Sequence, residues 1–278
     1  MWGKNIFFED HGLFFETLHL QADFDNFSFY GGKINPAFGS AWDVTPGIYG
    51  VDLAEDYEIV ERIGFGASYT FALDGLGEHT VNAAAYFADT SGLSRSFGTN
   101  RGRTDISDGG ASNTESIESV AIALDGTEIG SIPGFTYNLG FRFQSAGIGG
   151  IDDEIGFAGG AAQELNLTDE IKLTLNGELA YFDNFEGSNG ETDQFYGTIG
   201  AALEYEKWFA DAAFSVRDIT SNVGGDDFTD LQFQAGIGRE VFEKATFEVG
   251  YRFLREEDND THTIGAFFVY ETDFRILR

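Results

Sequence analysis

The feature that most constrains this chain is an alternation of period two, repeated almost from end to end. In residues 171–181 (IKLTLNGELAY), Ile171, Leu173, Leu175, Leu179 and Tyr181 fall on one side of an extended chain. Lys172, Thr174, Asn176 and Glu178 fall on the other. Side chains of a strand alternate in this way, whereas a helix would scatter both sets around its axis. The run has about the roughly 9–11 residues that a tilted strand needs to cross a bilayer. Elsewhere Ile63, Phe65, Ala67, Tyr69 and Phe71 oppose Arg62, Gly64, Gly66, Ser68 and Thr70. Phe135, Tyr137, Leu139, Phe141 and Phe143 oppose Thr136, Asn138, Gly140, Arg142 and Gln144, and Phe247, Val249, Tyr251 and Phe253 oppose Glu248, Gly250 and Arg252.

Strands are expected at 2–9, 13–24, 27–34, 62–71, 80–89, 117–124, 135–145, 155–167, 171–182, 194–205, 209–218, 229–241, 245–255 and 261–274. Gly31-Gly32 suggests a bulge or close packing. Short turns at 168–170, 206–207 and 242–244 alternate with polar loops near 146–154, 183–193, 219–228 and 256–260. Two loops are longer, 35–61 and 90–115. Short turns on one side and long loops on the other are the pattern of a bacterial outer-membrane barrel. The fold class is therefore all-β: one transmembrane antiparallel up-and-down β-barrel over 1–278, with about 14 strands, or about 16 if an N-terminal hairpin is missing. An even number places both termini on the short-turn, periplasmic side.

Composition agrees. Aromatics are abundant (Phe 29, Tyr 11), Gly reaches 37, and the prolines number only 3. No apolar run reaches the ~18 residues of a spanning helix, which leaves a barrel open because its strands hide hydrophobicity by alternation. With Cys 0 there is no disulfide framework and no thiolate metal site. A formal net charge of −31 argues against nucleic acid as a partner. The opening MWGKNIFFED has no basic-then-apolar leader, so a leader has been removed or the start is missing. Aromatics near strand ends, Phe71, Tyr181, Phe185, Tyr205, Trp208 and Phe274, are expected to form interfacial girdles.

The polar faces carry both signs: Arg62, Arg142, Lys172, Arg217 and Arg252 against Glu178, Glu204, Asp211, Asp230 and Glu248. These are the expected lumen-wall residues. A barrel of about eight strands is filled by its side chains and one of about 16–18 holds an aqueous channel, so fourteen lies nearer the channel.

Three stretches resemble Gram-negative outer-membrane porins, particularly the porin-like proteins of alphaproteobacteria. They are GGKINPAFGSAWDVTPGIYGVDLAEDYEIVERIGFGASYTF (31–71), LSRSFGTNRGRTDISDGG (93–110) and YRFLREEDNDTHTIGAFFVY (251–270). In the first, 35–61 reads as an extracellular loop between two strands. The resemblance implies an outer-membrane location, contact with the lipid bilayer and lipopolysaccharide, small hydrophilic solutes and a homotrimer. It also implies a loop folded into the lumen as a pore constriction. For that role the Gly/Ser-rich loop 90–115 offers Arg95, Arg101 and Arg103, with Asp105 and Asp108 supplying the other sign.

Catalysis is not expected. His11, His19, His79 and His262 are dispersed, and there is no GxSxG or HExxH. No cofactor is expected. The acidic runs Asp152-Asp153-Glu154, Asp226-Asp227 and 256–260 could hold Ca²⁺ or Mg²⁺ and bridge to anionic lipopolysaccharide, though none fits a twelve-residue Ca²⁺ loop. The function expected is passive diffusion of ions and small hydrophilic solutes. The alternatives are a sugar- or anion-selective channel, and a closed barrel serving as anchor or adhesin.

Overall fold

A computed structural model describes residues 13–97, 102–148, 152–187 and 192–271. It contains thirteen strands in one sheet, each paired to the next in chain order. They are β1 (Leu18–Phe24), β2 (Phe27–Ile34), β3 (Arg62–Leu73), β4 (Gly77–Ala88), β5 (Ser119–Thr127), β6 (Phe135–Gln144) and β7 (Glu154–Asn166). There follow β8 (Ile171–Asp183), β9 (Thr192–Tyr205), β10 (Trp208–Ser221), β11 (Phe228–Phe242), β12 (Ala245–Glu256) and β13 (Asn259–Tyr270). The sheet is antiparallel throughout, with β1 and β13 at its ends. The expected strand at 2–9 and the aromatic Phe274 lie outside the described residues.

Alternation decides which way each side chain points. Leu139, Phe157, Leu179, Ile199 and Ile237 stand on the convex face and are exposed. Their neighbours Asn138, Arg142, Asn176, Glu178, Ser215, Gln232 and Gln234 are buried on the concave face. Apolar outside and polar inside is the inverse of a soluble sheet packed on a core, and it suits lipid outside and a hydrated or polar interior.

Of the two readings of Gly31-Gly32, close packing holds, and two details elsewhere differ from the sequence reading. Gly31-Gly32 carries no bulge, since Leu20↔Gly31 and His19↔Gly32 keep register. A Cβ on Gly32 would strike the Leu18 carbonyl, and its φ is +140°, so close packing is the reason for glycine there. The bulge lies instead between Glu240 and Phe242. The expected loop at 256–260 is a two-residue turn in which Glu257 and Asp258 both take positive φ (46° and 63°), the conformation that matches the twist of a hairpin.

These faces generate a paired test. Leu175 is exposed on the convex face and Thr174, next to it, points inward. A charge facing lipid at the midplane costs about 2–4 kcal/mol. Leu175→Arg is therefore expected to impair assembly, read as loss of heat-modifiable gel mobility, while Thr174→Arg assembles. Equal assembly of both would reverse the assignment.

Candidate functional site

Residues 35–61 do not stand outside the sheet as an extracellular loop. They fold against its concave face, as a strap from the top of β2 to the top of β3. The segment carries Asp43, Asp52, Glu55, Asp56, Glu58 and Glu61 and no basic residue. It also carries Phe38, Tyr57 and Ile59, which are only 3%, 1% and 1% exposed. An acidic segment with apolar anchors is suited to a wall that offers cations and apolar niches.

The outgoing half of the strap follows a track of inward-facing glycines. A Cβ on Gly140 would come within 3.1 Å of Phe38, one on Gly160 within 2.7 Å of the Ser40 hydroxyl, and one on Gly200 within 2.6 Å of Pro46 Cδ. Gly250 leaves room for Ile48, and Gly265 for the Tyr49 hydroxyl. One segment thus touches β6, β7, β9, β12 and β13 in turn, so the sheet curls around it. Side chains of the wall satisfy its backbone and hydroxyls. Asn176 Nδ2 donates to Thr45 Oγ1 (3.1 Å), Gln234 Nε2 to the Pro46 carbonyl (3.1 Å), and Gln232 Nε2 to the Tyr49 carbonyl. Glu248 accepts from the Ile48 backbone.

The strap turns back near Gly50, whose N–H donates to the Gly47 carbonyl (3.2 Å). Its returning half is held by charge, nearer the long-loop end. Asp52 pairs with Arg252. Asp56 Oδ2 lies 2.6 Å from Arg217 Nη1, and Arg217 Nη2 lies 2.6 Å from Asp230. Arg142 Nη1 donates to the Tyr57 carbonyl (2.6 Å), and its Nε donates to Glu154 (2.5 Å). The Arg142 guanidinium stacks 4.3 Å from the Phe182 ring centroid and 4.9 Å from that of Phe38. Arg62 Nη1 donates to the Val60 carbonyl (2.8 Å). At the base, Lys33 Nζ sits 2.7 Å from Glu61 and 3.0 Å from Asp89.

Glu178 ties the two halves together. Its carboxylate accepts from the Ser40 N–H (2.6 Å), the Ser40 hydroxyl (2.9 Å) and the Tyr57 hydroxyl (2.8 Å), and it is 3% exposed. Burial lifts the carboxyls of Asp52 and Asp56 above the usual range even though arginines oppose the shift. Glu58 is pushed up to about 7, chiefly by burial and then by Glu16, Asp43 and Glu55. It is extended (φ −62°, ψ 138°) between the buried Tyr57 and Ile59, so alternation turns it away from the wall, where it is half-buried.

The strap narrows the interior without filling it. On the short-turn side a cavity of about 430 Å³ lies between the strap and β5–β7, and another of about 370 Å³ lies between Pro46-Gly47 and β9–β12. On the long-loop side a polar cavity of about 200 Å³ includes Asp56, Glu58, Arg62 and Glu186. Glu58 lines both the first and the last of these.

Of the wall residues expected from sequence, Arg62, Arg142, Glu178, Arg217, Glu248 and Arg252 contact the strap directly. Asp230 holds Arg217, and Asp211 accepts from Gln234 (2.7 Å). Lys172 and Glu204 pair at 2.7 Å, apart from the strap, near the short turns. The 90–115 charges lie elsewhere. Arg95, Arg103, Asp105 and Asp108 are exposed, and Arg101 lies outside the described residues. Arg103 Nε donates to Thr90 O (2.8 Å), and Asp105 and Asp108 cap a 3₁₀ turn. This loop reaches the polar cavity through Gly110 and Ala111.

The sequence missed Lys33, Glu154 and the inward course of 35–61. Glu154 was read as part of an acidic loop run, but it opens β7, points inward and is fully buried on Arg142, while Asp153 accepts from Ala146 N–H (2.7 Å). Phe185, expected in a girdle, is buried against Phe182 and Tyr196, because β8 ends at Asp183 and the turn after it folds over the concave face. The usable signal was the four aromatics, Phe38, Trp42, Tyr49 and Tyr57, in an otherwise acidic segment.

No protein-family model and no curated protein sequence matches the chain. Solved structures do. A loop-deletion mutant of OmpT, an outer membrane protein of Vibrio cholerae, superposes with a TM-score of 0.53 at 15% identity, over 89% of this chain and 77% of that one. The outer membrane channel DcaP of Acinetobacter baumannii superposes with a TM-score of 0.53 at 10% identity, over 89% of this chain and 71% of that one. The fold is therefore that of an outer-membrane β-barrel.

Glu178 gives the test of the strap's seating. A hydrogen bond to a charged group is worth about 1.5–3 kcal/mol, and Glu178→Ala removes three. Amide hydrogen exchange in 38–58 is expected to accelerate in that variant while the strands stay protected. Glu204→Ala, which breaks only an exposed pair, is expected to leave the strap unchanged.

Proposed function

We propose that this chain is an outer-membrane channel for passive diffusion of ions and small hydrophilic solutes. The observation that carries this reading is the position of Glu58, which lines both the short-turn cavity and the long-loop cavity. A strap that sealed the barrel would bury its side chains on both sides. Here one side of the strap packs on the wall and the other faces space. Selection then works by width and charge at the strap. Transport of this kind makes and breaks no covalent bond, so no catalytic group is required. Arg95, Arg103, Asp105 and Asp108 would act as outer charges on the approach to the strap. The acidic loops would meet divalent cations and lipopolysaccharide.

The acids of the strap favour cations at the narrow point. A carboxyl raised to about 7 is anionic above that pH and neutral below it, so its attraction for cations is lost as pH falls through 7.

Planar-bilayer recordings test both parts. The refolded chain is expected to conduct, and replacing 43–56 by a short Gly/Ser linker is expected to raise single-channel conductance. A silent barrel that starts to conduct only on strap removal would instead favour the anchor or adhesin reading. In a KCl gradient, cation preference is expected to fall between pH 8 and pH 6, and Glu58→Gln is expected to flatten that dependence. A reversal potential unaffected by the substitution would take Glu58 out of the path.

A further inference from the structure

The six acids of the strap do not fare alike. Asp52, Asp56 and Glu61 meet Arg252, Arg217 and Lys33. Asp43, Glu55 and Glu58 close no ion pair among the described residues, and the fields acting on them come from other acids. Glu178 acts on Asp43, Asp52 and Asp56 act on Glu55, and Glu16, Asp43 and Glu55 act on Glu58. Asp43 and Glu58 line the same short-turn cavity, of about 430 Å³. The wall across it adds Asp125, which accepts from Asn138 Nδ2 (2.7 Å) and Asn82 Nδ2 (3.2 Å), amides in place of a base. Among the described residues no lysine, arginine or histidine lines this cavity. Like charges gathered in one space repel, and a cation entering it relieves them together.

The rest of the lining says which kind of cation. Two rings of the strap already hold a guanidinium beside a carboxylate. Arg252 lies 4.9 Å from the Tyr49 ring centroid and pairs with Asp52. Arg142 lies 4.9 Å from that of Phe38 and pairs with Glu154. Trp42 is a third such ring. It packs half-buried against the core cluster and lines the cavity beside Asp43 and Glu58, yet no cation lies over it among the described residues. Asn138, 5% exposed on the same lining, spends its Nδ2 on Asp125, and its Oδ1 finds no donor, which adds an unmet acceptor to this wall. The ring and the acids are therefore in place, and the guanidinium that completes the other two sets is missing.

A compact metal ion suits this place poorly, because among the described residues no three acidic or histidine side chains group closely enough to hold one. An anion would meet only acids, and a neutral solute would leave their repulsion as it is. A guanidinium spreads its charge over a plane, donates several N–H groups at once and stacks on aromatic faces. We propose that the short-turn cavity binds small guanidinium solutes, with the planar cation stacked on Trp42 and its N–H groups on Asp43 and Glu58. The proposal names a solute class for the channel reading and rests on it for the solute's route. Because Glu58 also borders the long-loop cavity, a bound guanidinium stands in the conducting path.

The test separates charge from shape with three solutes: methylguanidinium, methylammonium, which has the charge without the plane, and N-methylurea, which has the plane without the charge. They are added to the refolded full chain in a bilayer at pH 8, where Glu58 is ionised. Methylguanidinium is expected to reduce the KCl current at roughly tenfold lower concentration than either of the others, the size of effect that a cation stacked on an indole supports. Trp42→Leu should bring methylguanidinium down to methylammonium, and Trp42→Phe should restore part of the gap. Asp43→Asn should bring it towards N-methylurea. If Trp42→Leu fails to assemble, Asp43→Asn decides, since the Asp43 side chain is exposed and closes no ion pair among the described residues. Equal potency of the two cations on wild type overturns the site, as does an undiminished advantage of methylguanidinium in Asp43→Asn. Should wild type carry no current, the channel reading fails, and calorimetric titration of methylguanidinium into the detergent-folded barrel judges the site. Saturable binding that Asp43→Asn weakens supports it, and its absence overturns it.

Discussion

Hydrocarbon offers no water to a peptide group, and that single constraint orders the rest of this molecule. Every N–H and C=O of a strand in lipid must find a partner in a neighbouring strand. The continuous registers from β1 to β13 meet the demand on all the strands between the two ends. Once the backbone is satisfied in this way, side chains are free to divide by face. Lipid takes Leu139, Leu179 and Ile199, and the concave face is left to Arg142, Glu178, Gln232 and Gln234.

A polar concave face creates the next problem, which is what to put against it. Water would serve in a wide lumen, but from β6 round to β13 the chain supplies its own partner. The strap brings backbone carbonyls to Arg62, Arg142, Gln232 and Gln234, and a hydroxyl to Glu178. Its outgoing half fits because the wall lacks Cβ atoms at Gly140, Gly160, Gly200, Gly250 and Gly265. Its returning half fits because Arg217 and Arg252 meet Asp56 and Asp52. Shape fixes one level and charge the other, and Glu178 holds both through Ser40 and Tyr57. Removing one member of such a buried set is far more damaging than the set is stabilising, because the remaining charge has no water to turn to.

The strands were legible because alternation is local: Leu173 against Thr174 can be read without knowing what either touches. The wall charges were legible for the same reason, since Arg142 and Glu178 fall on the polar parity of their strands. The strap was not. Its contacts join residues as far apart as Asp52 and Arg252, and nothing in a linear reading distinguishes an acidic loop in water from one lying on arginines. Two charged loops competed for the interior, and 90–115 drew notice through its arginines. The wall already has cations, so the segment that complements it is the one made of acids. The glycines were equally ambiguous, because a missing Cβ reads as weak strand propensity until the partner that needs the space is known.

Charge distribution carries this argument one step further. The whole chain has 16 basic residues against 47 acidic ones, yet Lys33, Arg62, Arg142, Arg217 and Arg252 all stand where the strap runs. Concentrating the scarce cations on one wall lets an acidic strap lie down there, and the pairing cancels most of the field on that side. What remains uncancelled is then informative. Glu58 is a strap acid whose neighbours Tyr57 and Ile59 turn it off the wall, and Arg62 is a wall cation that meets the strap at the Val60 carbonyl. Both line the same small cavity. With Asp56, Arg142 and Glu186 on the same lining, charge of both signs gathers at the long-loop end of the strap, where Gly110 and Ala111 of the 90–115 loop also reach.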